Sequence, residues 1–155
     1  MSGTLGHAPG EIIKQLMEDL GLGTEVSSAG AWPIYWSHLP DSPDSCLAIY
    51  DTVPTNDGRS HPDGITQEHY GFEILIRSNS PTVGRQKGLN ILDSFDTDVL
   101  RTLVTLGDYT YNVQAITRRA GLLSLGRESP ESRRRLHSIN FVTDINLNAS
   151  VGTGV

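Results

Sequence analysis

Few residues in this chain have types and spacings that could do chemistry. The one cysteine, Cys46, lies in "LPDSPDSCLAIYDT" (39–52), behind Asp41 and Asp44 and at the head of an apolar run. A nucleophilic cysteine needs a base beside it and an accessible, electropositive setting. Two carboxylates ahead of it disfavour a thiolate. His38 is near in sequence, which does not bring it to the thiol. Cys46 is therefore expected to be a small buried hydrophobe at the start of a strand. A lone cysteine also excludes an internal disulfide framework and any multi-cysteine zinc site.

The histidines are His7, His38, His61, His69 and His137. None forms the i, i+4 pair of a helical metal site. The best local metal grouping is "SHPDGITQEHY", with His61, Asp63, Glu68 and His69. Its plainer reading is a polar loop running into a strand with exposed polar positions. No Walker loop, nucleophile elbow or dinucleotide fingerprint occurs. "NAS" at Asn148 fits a glycosylation sequon but follows no secretory signal. No catalytic residue, metal or cofactor is expected.

Charge is the more informative signal. The chain has a net charge of -6, yet Arg118, Arg119, Arg127, Arg133, Arg134 and Arg135 make half of its 12 Lys+Arg. Such a cluster can grip phosphate. No aromatic residues interleave with it, so a surface meeting an acidic protein neighbour is the commoner meaning. The stretch 54–66, "PTNDGRSHPDGIT", is polar and reads as a long loop, a class that is usually functional or mobile. The candidate interface residues are Asp57, Arg59, His61, Asp63, Arg127, Glu128, Arg133, Arg134 and Arg135.

The elements that must position these residues follow from periodicity. With 155 residues, 37% hydrophobic and 19% charged, the chain can bury one real core and is read as a single domain. Residues 1–8 and 148–155 are read as flexible-type tails, expected to be held by neighbouring subunits. There is no signal peptide pattern and no run near the roughly 20 apolar residues of a membrane helix, so a soluble, cytosol-made protein is expected. "PGEIIKQLMEDLGLG" is a helix with Ile12, Ile13, Leu16, Met17 and Leu20 on one stripe. "SPTVGRQKGLNILDSF" is a second, with Ser80 as N-cap and a stripe of Gly84, Gly88, Ile91, Leu92, Phe95 and Val99. Strands are expected at "WPIYWSHL", "CLAIYDTV", "QEHYGFEILIRS", "DYTYNVQAITRR" and "LHSINFVTDINL", and a short strand or bridging segment at "LLSLGR". In the fourth, Tyr109, Tyr111, Val113 and Ala115 are expected on one face. The order gives an α+β fold: a mainly antiparallel sheet with two main helices on one face.

This order resembles the small tail-terminator, or tail-completion, proteins of long-tailed bacteriophages, often called minor capsid proteins. The features are the helix ending in "LGLGT", then "WPIYWSHLPDSPDSCLAIYDT", "YGFEILIRS", "SPTVGRQKGLNILDSF", "YTYNVQAI", "GLLSLGRE" and "RRLHSINFVTDINL". They cover roughly residues 8–147. The resemblance implies a non-enzymatic virion protein forming a ring, typically a hexamer. Such a ring caps the head-proximal end of the tail tube, stops its polymerisation and docks the head connector. Its implied partners are the tail tube protein and the connector, with DNA passing through unread and no membrane involved. A different neck component, such as a head-closure or tail-tube protein, is the near alternative. A small enzyme or metal-binding protein using Cys46 or the His61–His69 region is the distant one.

Overall fold

The computed structural model describes residues 5–24, 32–59 and 66–150, without the side chains of 55–59, 66–68 and 148–150. Its elements are α1 (Pro9–Asp19), β1 (Ile34–Trp36), β2 (Cys46–Arg59), β3 (Thr66–Ser78), α2 (Pro81–Asp98), β4 (Thr102–Leu106), β5 (Tyr109–Arg118), β6 (Leu123–Arg127) and β7 (Arg135–Ser150). The seven strands form one sheet in the order β1-β2-β3-β7-β5-β4, with β6 also paired to β7. All pairings are antiparallel except β1–β2, which is parallel. The fold is α+β. No helix among the described residues is long and apolar enough to cross a membrane.

Both helices start where the sequence places them. The Ser80 hydroxyl accepts the Val83 N–H at 3.3 Å, and Pro81 follows at the first helical position. At α1 the N-cap is Ala8, which has no side-chain oxygen. Two carboxylates take over: Glu11 accepts the Ala8 N–H at 3.1 Å, and Asp51 of β2 accepts the Gly10 N–H at 2.7 Å. Asp51 also accepts the Trp36 indole N–H at 3.1 Å, so one side chain ties α1, β1 and β2 together. The far end of α1 closes on Gly21, whose φ of 74° is left-handed, while the Leu22 N–H returns to Met17 O.

Directly opposed residues in an antiparallel pair share a face. Leu47, Ile76 and His137 form one such row, Ile49, Ile74 and Ile139 the next, and Phe72 lies opposite Phe141. Phe72, Phe95 and Phe141 meet with ring centroids 5.1 to 6.4 Å apart. α2 covers β3, β7 and β5, while α1 touches β1 and β4, the two ends of the six-strand path, so the sheet curls around the helices. The main apolar cluster lies on this covered face, while buried Cys46 and Ala48 point to the other. The expected helical stripes are buried as read, apart from Leu20, which is only half-buried against the core: Ile12, Ile13, Leu16 and Met17 in α1, and Gly84, Gly88, Ile91, Leu92 and Phe95 in α2 with Val99 just beyond it.

The structure corrects four expectations. In the stretch read as a loop from 54 to 66, residues 54–59 and 66 are strand and 60–65 lie outside the described residues: β2 runs to Arg59 and β3 starts at Thr66, paired at Thr55↔His69, Asn56↔Glu68 and Arg59↔Thr66 with two register shifts. Those shifts break the alternation that would have announced a strand. The expected strand over "WPIYWSHL" shrinks to Ile34–Trp36. Ala115 does not share the face of Tyr111 and Val113: a bulge after Val113 sets it opposite Asp144, and Ile116 returns to the core instead. The Thr143 hydroxyl donates to Ala115 O at 2.8 Å there. Finally, β7 extends through Ser150, three residues into the stretch read as tail. Residues 6 and 7 are held within the chain: the Gly6 N–H donates to Tyr111 Oη at 3.1 Å, and His7 Nδ1 lies 2.7 Å from the same oxygen.

Candidate assembly interface

Cys46 and the turn before it come first, because they cap the uncovered face of the sheet. Cys46 has no exposure and burial pushes its thiol up, with the Arg77 charge pulling partly the other way. It is a packed residue at the head of β2, as its sequence context implied. Beside it Arg77 is also 0% exposed, although it belongs to the face that no helix covers. The turn 39–45 closes over it. Arg77 donates to Pro43 O at 2.6 Å, to Asp44 O at 3.3 Å and to Glu128 at 3.2 Å. Arg134 then bridges Asp44 at 3.1 Å and Glu128 at 3.4 Å. Two cations and two carboxylates thus neutralise one another and clamp the turn 39–45 and the β6–β7 hairpin onto the sheet.

This clamp divides the arginine cluster. Arg134 and Glu128, both expected at an interface, are engaged inside the chain. Arg127 reaches only Pro130 O, at 3.4 Å, across its own turn. Arg133 is exposed and Arg135 half-buried, and neither has a hydrogen bond or ion pair among the described residues. Arg118 is drawn off elsewhere, to Asp96 at 3.2 Å. Of the other candidates, Asp57 and Arg59 lie on the β2 backbone with side chains outside the described residues, and His61 and Asp63 lie outside them altogether. His69 is at the base of the β2–β3 arm, in contact with Asp144 of β7.

A cleft opens between α2 and β6, lined by Pro81, Thr82, Arg85, Gln86, Leu89, Ser124 and His137. His137 is 3% exposed, and its Nδ1 is buried with no hydrogen-bond partner among the described residues. Burial, then the Arg85 charge, holds the imidazole pKa below its ordinary value. Gly84 makes room for this ring: a Cβ there would sit 2.9 Å from Nδ1. Arg85 is exposed and forms no ion pair among the described residues. Among the described residues β6 has a free edge at this end of the sheet, and it shows two large apolar side chains, Leu123 and Leu125, 57% and 48% exposed. Sequence reading missed Arg85 and His137. The spacing of Arg85 from the exposed Leu89, at i, i+4 on α2, was the available signal.

No family model and no curated protein matches this chain. Among solved structures, it matches a chain from the virion of a native gene transfer agent particle. The alignment covers 90% of this chain and 95% of that one, with a TM-score of 0.52 and 13% sequence identity. At that identity the likeness concerns the fold.

Proposed function

We propose that this chain is a structural virion protein of a phage-like particle, and within it a tail terminator. Its subunits form a ring, hexameric as the family resemblance implies, that caps the head-proximal end of the tail tube, stops its growth and receives the head connector. The observation that carries this reading is the fold likeness to a gene transfer agent virion chain, near full length in both directions. The order of motifs over residues 8–147 points the same way.

The mechanism is interface complementarity. One ring surface matches the last tube ring and the other does not, so no further tube subunit can add. Arginines 127, 133 and 135, which form no ion pair among the described residues, supply charge for such contacts, which act chiefly on specificity and encounter rate. DNA traverses the ring without base recognition. The chain is proposed as non-enzymatic: the buried thiol of Cys46 offers no accessible nucleophile.

Deleting the gene from the particle that encodes it and imaging the products by negative-stain electron microscopy tests the reading. Overlong tubes without heads are expected. Full heads that leak DNA would instead make the chain a head-closure component, and normal particles would remove the virion role.

A further inference from the structure

Five polar side chains line the α2–β6 cleft: Thr82, Arg85, Gln86, Ser124 and His137. None of them makes a hydrogen bond or ion pair among the described residues. The neighbouring clamp is the opposite case, since Asp44, Arg77, Glu128 and Arg134 neutralise one another. Among the described residues no carboxylate lines the cleft, and α2 has none in its first turn. A chain of net charge -6 thus keeps a cationic hollow of about 490 Å³ without a counter-charge.

The start of α2 adds to this. The N-terminus of an 18-residue helix carries a partial positive charge and spare N–H groups. Pro81 has no N–H, the Ser80 hydroxyl accepts that of Val83, and Ser80 O accepts that of Gly84. The Thr82 N–H, beside the cleft, is left without an acceptor among the described residues. Below it lies His137, 3% exposed, with Nδ1 buried and unpartnered. A buried polar atom in that state is costly and calls for a ligand. Charged groups near the ring are cations. Arg85 comes from α2, Arg127 from the end of β6, and Arg135 from two residues along β7 on the same face. Arg77 of β3 points to the other face, and Glu128 is held by Arg77 and Arg134.

We propose that the α2–β6 cleft binds a tetrahedral oxyanion of the phosphate class, held between Thr82 and Arg85 on the helix wall and Ser124 and His137 on the sheet wall. The donors stand on two facing walls. A tetrahedral anion turns oxygens to both, whereas the two oxygens of a carboxylate face one side. Arg85 offers a fork of N–H donors. The imidazole donates from both nitrogens only as its cation, so the anion is taken up together with a proton. This site does not depend on the virion reading.

Isothermal titration calorimetry of the full chain, at constant ionic strength in chloride, tests it with inorganic phosphate and with sulfate. Saturation of one site is expected near about 1 mM anion. Sulfate keeps its charge between about pH 8 and about pH 6, and its affinity should rise over that fall in pH by up to about tenfold per unit. Arg85→Gln, at an exposed position, should weaken binding about tenfold or more. His137→Gln should remove the pH dependence, and urea midpoints verify that both variants fold. Acetate binding as tight as phosphate would make the cleft a carboxylate site and overturn the assignment. No saturation below about 10 mM phosphate, or an Arg85→Gln form that binds like wild type, would overturn it as well. The virion role is read separately, from the particles of the deletion strain.

Discussion

The Arg77 guanidinium lies 3.2 Å from the Glu128 carboxylate while itself fully excluded from solvent, on the side of the sheet that carries no helix. The pair joins the middle of the sheet to the β6–β7 hairpin, 51 residues later. A buried cation stripped of its counter-charge is costly, whereas an apolar replacement of similar length removes the need for one. Arg77→Ala should destabilise the chain by about 3 kcal/mol and Arg77→Met by clearly less. Glu128→Gln strips that counter-charge while Arg77 stays buried, and should cost about 3 kcal/mol. Urea midpoints of the three variants test this ranking, and a loss for Glu128→Gln no larger than that for Arg77→Met would refute the charge argument.

His137 predicts a pH dependence. Its folded pKa is lowered from the ordinary 6.5. Between 6.5 and that lower value the unfolded chain therefore binds more protons, and stability must fall as pH falls. The contribution is fully present above the unfolded value and is lost below it. Wild-type stability minus that of His137→Gln should thus shrink as the pH falls below about 7. A difference that is flat in pH would show that His137 does not titrate apart from its unfolded value.

Gly84 inverts a usual rule. Exposed helix glycines gain about 1 kcal/mol on replacement by alanine. At Gly84 the new methyl would press within 2.9 Å of a buried ring. Gly84→Ala should therefore lose about 1–3 kcal/mol. Gly88→Ala meets Leu122 Cδ1 at 2.7 Å, the tip of a flexible side chain, and should lose less. Thermal midpoints compare the two, and a stabilised Gly84→Ala would place the ring elsewhere.

Cys46 should resist modification. Burial both hides the thiol and raises its pKa. Iodoacetamide should leave the native chain unlabelled over times that fully label it in urea, as read by intact mass. Cys46→Ala should be tolerated at under about 1.5 kcal/mol. Fast labelling of folded protein would reopen the reading of this residue as a nucleophile.

How much was legible varies by element. Both helices were, because each carries a one-sided apolar stripe and its own stop or cap signals. β4 was missed: "TLVTL" is short, and its sign was the Gly107–Asp108 turn, with Gly107 at φ 61° joining Leu106 to Tyr109. The arm was missed because two register shifts interrupt the alternation. Arg134 and Glu128 were legible as charged and near one another, but not as partners of a buried Arg77.

By itself the sequence determined the α+β class, the two helices, the covered face of the sheet and the burial of Cys46. Each follows from local periodicity and local turn chemistry. Only the tertiary structure decided which arginines are spent inside the chain and which remain available. That choice depends on Asp44, Arg77, Glu128 and Arg134, scattered over 90 positions of the chain and brought within 3.4 Å by the sheet. Charge neutralisation between residues so far apart leaves no spacing in the sequence, because the strand pairing sets the distances.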